Sequence, residues 1–320
     1  MAASEPIENR LRMLRRSIQT GDLARAQALL AETTRRPAVG LAGRAPAAGA
    51  AGVGTAAPDW IAGAPARPAA REPVPLEQAC AGTLSDAGRR GRFWLIHRTM
   101  AEVQPKALLL PRQYAAIIGG ARQRWDELEA SAALCKAADG RPEDLLFMDI
   151  ETCGLSAAPV FLIGMMTYAE GGFQFEQYLA RDYTEEPAIL DAFAARLEGA
   201  EVLVTFNGKS FDMSYLRQRS AFHGVPLPAR LAHHLDLLHE SRRRWRGCVP
   251  NCRLQTLEQL LCGRRRVGDI PGSQIPDAYH AFVRTGDARA MAAIVHHNLL
   301  DLLTMGELVC HLLSGAAPTE

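Results

Sequence analysis

An apolar run that closes on two acidic residues constrains the fold of this chain more than any other feature. Residues 145–148 read Leu-Leu-Phe-Met, and Asp149-Ile150-Glu151 follows directly. The run predicts a strand over residues 145–150 that is buried on both sides. Side chains alternate along a strand, so Asp149 and Glu151 share one face. Two unpaired carboxylates at a buried sheet edge are costly without a cation, and the motif therefore predicts a metal site.

Two acidic residues further along the chain are placed to join this site. Asp212 follows a second apolar run, residues 202–206, and lies in the first turn of a helix predicted over 210–223. Taken alone, Asp212 would have a purely structural explanation, because acids favour the first turn of a helix. Asp301 lies in a stretch without Pro or Gly, residues 287–305, that predicts an unbroken helix. Together the acids supply the oxygen ligands that Mg²⁺ prefers, and a metal pair suits displacement at phosphorus.

The order of these motifs resembles that of the DEDD (DnaQ-like) 3′–5′ exonucleases, which share a ribonuclease-H-like fold. Residues from about 92 to 313 resemble the YprB-like branch of that superfamily in particular. The matching stretches are Asp-Ile-Glu-Thr at 149–152, Phe-Asn-Gly-Lys-Ser-Phe-Asp at 206–212, Arg-Leu-Gln-Thr-Leu-Glu at 253–258, Val-Gly-Asp-Ile-Pro-Gly at 267–272 and His-Asn-x-x-Asp at 297–301. The resemblance implies that Asp149, Glu151, Asp212 and Asp301 are catalytic and hold two Mg²⁺ or Mn²⁺ ions.

Two neighbouring histidines precede Asp301, and branches of the family have a Tyr or a His at the corresponding distances before the last Asp. One branch of the family has Tyr four residues before the last Asp, and another has His five residues before it. His297 lies four residues before Asp301 and shares its helix face, whereas His296 points away on a straight helix. The unbroken helical pattern favours His297 as the catalytic group that orients or deprotonates the attacking water. His296 would take that role if the helix were kinked.

Positive charges indicate where a nucleic-acid strand would bind. The chain has three Lys, and Lys209 follows Asn207 in the turn of the second motif. Because the chain otherwise uses Arg, this Lys suits a compact charge that contacts a phosphate, and it also suits a solvated Lys in a turn. Residues 225–268 contain nine Arg and three acids, and they include Arg244, Trp245 and Arg246. This pattern suits a single-stranded backbone with a stacked base, and it equally suits a solvated basic face with a packing Trp.

The overall composition narrows the class of protein. The formal net charge of +1 does not itself indicate a nucleic-acid partner. No apolar stretch approaches the roughly 20 residues that span a bilayer, so we predict no membrane association. The first residues lack the apolar region of a secretory signal, and the seven Cys lack the spacing of a disulfide scaffold. These features predict a cytoplasmic protein with reduced thiols.

The order of strands and helices predicts the fold class. Strands at 145–150, 160–168 and 173–179, with a turn at Gly171-Gly172, precede alternating helices and strands. This order predicts an α/β fold with a mixed sheet flanked by helices.

Five segments are predicted along the chain. They are a helical hairpin extension that could bind a protein partner (1–35), a disordered Ala/Gly/Pro-rich linker (36–75), an accessory segment packing on the core (76–140), a ribonuclease-H-like exonuclease domain (141–314) and a tail (315–320).

The residues and the resemblance together predict a metal-dependent 3′–5′ exonuclease that acts on single-stranded or frayed DNA or RNA. A structure-selective endonuclease of the same fold is the first alternative. The second is a nucleic-acid-binding scaffold without activity, which the presence of all four acids argues against. The sequence does not distinguish DNA from RNA, because contacts with the ribose 2′-OH depend on the shape of the pocket.

Overall fold

A mixed β-sheet organises the part of the chain that the structure describes. The computed structural model describes residues 72–104, 109–121, 131–154, 158–228, 231 and 233–314, all within the unit Pro68–Glu320. Seven strands in these ranges run in the order β1-β2-β5-β4-β3-β6-β7. They are β1 Thr83–Asp86, β2 Arg92–Thr99, β3 Leu145–Thr152, β4 Val160–Ala169, β5 Gly172–Leu179, β6 Val202–Thr205 and β7 His233–Asp236. The predicted mixed sheet is confirmed.

Strand directions divide the sheet into two parts. From β1 to β3 all neighbouring pairs are antiparallel, and β6 and β7 continue the sheet parallel to β3. The β4–β5 turn is Glu170-Gly171, with φ of 53° and 78°, as a two-residue hairpin turn of the mirror-image type requires. It lies one residue before the predicted Gly171-Gly172, because Gly172 already pairs with Ala169.

Helices cover both faces of the sheet. They are α1 Leu76–Ala79, α2 Met100–Val103, α3 Leu109–Ala121, α4 Ala132–Asp139, α5 Glu186–Glu198, α6 Asp212–His223, α7 Leu237–Trp245, α8 Leu254–Leu261, α9 Ile275–Thr285 and α10 Arg289–Ser314. Helix α7 was not predicted from the sequence. Asp236 ends β7 and caps α7 by accepting the N–H of Leu238 at 3.1 Å, so the strand passes directly into the helix. In the described ranges, no helix has the length and apolar character that crossing a membrane requires.

Strand β3 separates two apolar cores. Leu146, Met148 and Ile150 pack in the core that contains α5, α6, α9 and the first turns of α10. Leu145 and Phe147 pack in the other core, with α3, α4, α7, α8 and the rest of α10. The alternation of side chains along β3 therefore directs Asp149 and Glu151 to the second side, towards the middle of α10.

The prediction for the extension (1–35) and that for residues 36–71 of the linker (36–75) lie outside the described residues. The helical hairpin, the disordered linker and the protein partner therefore remain predictions. Residues 72–75 are described, and there the carbonyl of Val74 accepts the N–H of Ala288 at 2.8 Å. Within the predicted accessory segment, β1 and β2 extend the sheet beyond β5, and α3 packs on α10.

Candidate active site

Four acidic side chains from three elements meet at the end of β3. Asp149 and Glu151 lie on β3, Asp212 is the first residue of α6 and Asp301 lies in the middle of α10. Burial raises the pKa of Asp149 well above its ordinary value, and the negative charges of Asp301, Glu151 and Asp212 raise it further. We call these four residues the four-carboxylate cluster. The structure thus brings together all four predicted metal ligands, although the roles assigned to them remain predictions.

The chemistry of the cluster fits a divalent cation. Asp212 is only 5% exposed, and burial raises its pKa to about 7. Among the described residues, no three His, Cys, Asp or Glu side chains stand in a ready-made ligand arrangement. The negative charges of the neighbouring acids raise the pKa of Asp149 and Glu151 beyond the effect of burial. Buried oxygen donors that carry excess negative charge are the ligands that Mg²⁺ or Mn²⁺ prefers.

One cation of the chain itself already contacts the cluster. Arg266 donates from Nη2 to Asp301 at 2.5 Å, and it also pairs with Glu258 at 2.6 Å and with Asp269 at 3.3 Å. Its side chain is only 6% exposed, and that of Arg264, which pairs with Glu258 and Glu307, is 15% exposed. Both arginines lie in the basic stretch, residues 225–268, that was predicted to bind a nucleic-acid strand. Their buried ion pairs instead assign them to the packing of α8 against α10.

Asn298 holds Asp149 in place, a contact that the sequence analysis did not predict. Its Nδ2 donates to Oδ2 of Asp149 at 2.9 Å, and its Oδ1 accepts from Nε2 of Gln177 at 2.8 Å. Gly164 on β4 lies opposite Asp149, and a Cβ there would approach Oδ1 of Asn298 to 1.9 Å. Asn298 belongs to a motif that was recognised, but only the fold could reveal its partners.

Gly164→Ala is therefore expected to displace Asn298 and loosen Asp149. The added methyl group should cost about 1–3 kcal/mol of stability, as overpacking does, and should weaken Mn²⁺ binding. Thermal unfolding with and without Mn²⁺ measures both effects. Gly172→Ala is the matched control, because a Cβ at Gly172 meets nothing within 4 Å. If both variants respond alike to Mn²⁺, Gly164 has no role in placing Asn298.

His297 faces the cluster, and His296 does not. Helix α10 is unbroken through this stretch, and Nε2 of His297 lies 3.6 Å from Oδ2 of Asp301. Nδ1 of His297 lies 2.9 Å from both carboxylate oxygens of Asp269, and the residue is 7% exposed. His296 is exposed and lines a separate groove with Arg265 and Val267. The geometry favours His297, as the helical pattern predicted, and adds Asp269 as the residue that orients its ring.

The turn of the second motif is held by a carboxylate. Asp236 accepts the N–H of Asn207 at 2.9 Å and the N–H of Lys209 at 3.0 Å. Asn207 has a φ of 66°, and a Cβ at Gly208 would lie 2.4 Å from Oγ1 of Thr205. Only glycine fits at position 208 without a shift of Thr205. The side chain of Lys209 is exposed on this turn, three residues before Asp212 in the chain, and is therefore open to a ligand.

The expectation that Trp245 stacks on a base must be corrected. Trp245 is 1% exposed and belongs to the core that includes α8 and α10. On α7 it follows Leu238 and Ser241 at helical spacing, so it falls on the buried face of that helix. Arg244 and Arg246 are exposed. The basic run therefore combines exposed arginines with a packing Trp.

Asp212→Asn is expected to stabilise the metal-free protein at alkaline pH. The pKa of Asp212 is raised to about 7. The stability that the protonated side chain contributes is therefore fully present below pH 4 and is lost as the pH rises through 7. The variant should gain at least about 3 °C in Tm at pH 8 and little at pH 4. Thermal unfolding in EDTA measures this difference. Asp277→Asn, an exposed acid in the first turn of α9, should show no such gain, and an equal gain there would contradict the explanation.

Comparisons with known proteins agree with the fold. The family model described as RNase_H superfamily matches residues 146–313, more than half of the chain. The uncharacterized protein YprB of Bacillus subtilis (strain 168) is 30% identical over 192 residues, 59% of this chain and 46% of that protein. The chain thus spans about half the length of this relative. The structure of the family B DNA polymerase from the hyperthermophilic archaeon Pyrobaculum calidifontis matches with a TM-score of 0.43 and 19% identity, over 51% of this chain and 24% of that one. The predicted similarity to YprB is confirmed.

Proposed function

Because the chain belongs to the RNase_H superfamily, we propose that it hydrolyses phosphodiester bonds as a 3′–5′ exonuclease on single-stranded or frayed nucleic acid. The observation that carries this proposal is the four-carboxylate cluster at the end of β3. Its members come from distant parts of the chain. Burial raises the pKa of Asp149 and Glu151, and the negative charges of other members raise these pKa values further. Such a concentration of buried negative charge is unfavourable in a purely structural role.

Asp149, Glu151, Asp212 and Asp301 would hold two Mg²⁺ or Mn²⁺ ions. When bound, the ions would stabilise charge on the attacking and leaving oxygens of an in-line displacement. Asn298 fixes the carboxylate of Asp149 for this task through its bond at 2.9 Å. Arg266 keeps part of the charge of Asp301 compensated, so the cluster is less repulsive before a cation arrives.

His297 would position the attacking water and accept its proton. The bond to Asp269 fixes the ring and directs Nε2 towards the cluster, which is the arrangement of a base oriented by a third group. Lys209 and Asn207, in the turn held by Asp236, would contact the phosphate of the substrate strand. The reaction would release nucleoside monophosphates one at a time from the 3′ end.

The test is digestion of 5′-labelled single-stranded DNA and RNA of one sequence in Mn²⁺. A ladder that shortens from the 3′ end, and that the Asp149→Ala/Glu151→Ala variant does not produce, is the expected result. Discrete internal fragments would replace the exonuclease with an endonuclease of the same fold. Binding without cleavage of either strand or of a frayed duplex would leave a nucleic-acid-binding scaffold. The two labelled strands also report which sugar the enzyme prefers.

A further inference from the structure

A cavity of about 530 Å³ borders the four-carboxylate cluster on the side of α7 and α8. Asp149 and Asp301 line it towards the cluster, so a ligand in the cavity would reach the predicted metal ligands. The rest of its wall comes from the end of β6, from α7 and from the segment that leads into α8. We call it the α7–α8 cavity. Volumes of this size hold small organic ligands in other proteins.

Two arginines give the α7–α8 cavity a positive side. Arg242 on α7 and Arg253 just before α8 both line it, and both are exposed. Within the described part of the chain, neither guanidinium forms an ion pair, whereas neighbouring Arg243 pairs with Glu240 at 3.6 Å. Asn251 accepts the N–H of Arg253 at 3.0 Å and so fixes the backbone there. Two guanidinium groups that no carboxylate of the described residues pairs with suit a phosphate, because each offers a planar fork of N–H donors.

The cavity also has an apolar wall. Phe206, Leu238 and Leu254 line it, and Phe206 and Leu254 are half-buried, so part of each side chain remains open to a ligand. A base gains stability by stacking on such a surface, whatever its identity. A base that lies in this cavity has left the stack of a duplex, so it must be unpaired.

We propose that the α7–α8 cavity binds one unpaired nucleotide of the substrate strand. Its base lies against Phe206, Leu238 and Leu254, and its phosphate contacts Arg242 and Arg253. This inference rests on the proposed function in taking single-stranded nucleic acid as the ligand, and it adds the site and the binding groups. It also moves the binding residues away from Arg244, Trp245 and Arg246, which the sequence alone indicated.

The test measures binding of 5′-fluorescein dT10 and rU10 by fluorescence anisotropy in Ca²⁺ over a series of salt concentrations. Arg242→Gln/Arg253→Gln should weaken binding about 10-fold at 0.1 M salt and reduce the salt slope by about 1 to 1.5. The control variant Arg244→Gln/Arg246→Gln makes the same change of charge in the same segment. It should leave the affinity and the salt slope nearly unchanged. A blunt hairpin should compete poorly with the single strand.

Three results of the binding experiment would overturn the proposal. They are wild-type affinity in Arg242→Gln/Arg253→Gln, an equal loss in Arg244→Gln/Arg246→Gln, and wild-type protein that binds neither oligonucleotide or prefers the blunt hairpin. The failure of the exonuclease proposal is a separate outcome. Binding that depends on Arg242 and Arg253 without cleavage would refute only the exonuclease, whereas a cleavage ladder with unchanged KM in Arg242→Gln/Arg253→Gln would refute only the cavity. All four arginines are exposed, so each variant should fold, and its Tm verifies this.

Discussion

Asp149→Asn is expected to lower kcat for oligonucleotide cleavage by at least about 10²–10³-fold, the usual cost of removing one group that stabilises charge in a transition state. Asp149 is the member of the four-carboxylate cluster whose pKa is raised by burial and by all three of the others. Asn keeps the shape of the side chain and removes its charge, so loss of activity would reflect loss of cation binding. The same variant should lose most of the rise in Tm that Mn²⁺ gives the wild-type protein.

Asp86→Asn provides the matched control for this prediction. Asp86 is the last residue of an edge strand, β1, whereas Asp149 lies near the end of a central strand. The side chain of Asp86 is exposed, and within the described ranges it accepts only the N–H of Gly88. Activity and the response to Mn²⁺ should stay at wild-type levels in this control. Near wild-type kcat in Asp149→Asn, together with an undiminished Mn²⁺ response, would exclude the cluster as the catalytic centre.

The sequence was sufficient to predict the central strand and its acids, because both depend on local periodicity. An apolar run followed by Asp149-Ile150-Glu151 can bury its side chains on two sides only in the middle of a sheet. The unbroken helix around Asp301 likewise follows from a stretch without Pro or Gly. The order of the motifs predicted the arrangement of the other elements, because strands and helices in that order form a mixed sheet whose strand ends converge.

The supporting contacts could not be predicted, because their partners are far apart in the chain. Gln177 and Asn298 are separated by 121 residues, and Arg266 and Asp301 by 35. Nothing in the local pattern around Gly164 indicates that Asn298 occupies the space where its Cβ would be. Trp245 is a different case. Its position on the same face as Leu238 was visible in the sequence, but the basic residues on either side suggested an exposed surface instead.

Arg219→Met is expected to cost about 3–5 kcal/mol of stability, the largest change we expect in folding, because it leaves a buried carboxylate without its cation. Glu186 begins α5 and is 1% exposed. It accepts from Nε of Arg219 at 2.8 Å and from Nη2 at 2.5 Å, and also from the N–H of Val160, the first residue of β4, at 2.9 Å. The pair therefore ties α5 and α6 to the strand beside the site. Denaturation by urea at pH 7 measures the loss.

The pH dependence of this loss separates the ion pair from simple packing. Burial raises the pKa of Glu186, but hydrogen bonds from Arg219 and His223 outweigh it and hold the pKa below its usual value. The stability that the charged pair contributes is thus present at neutral pH and is lost as the pH falls through that lowered pKa. Arg196→Met is the control, because Arg196 pairs with Glu176 at 3.0 Å while its own side chain is 41% exposed. Pairs that involve an exposed side chain contribute about 0–1 kcal/mol. If Arg219→Met loses no more than this control, or loses the same amount at every pH, the pair does not hold α5 and α6 to β4.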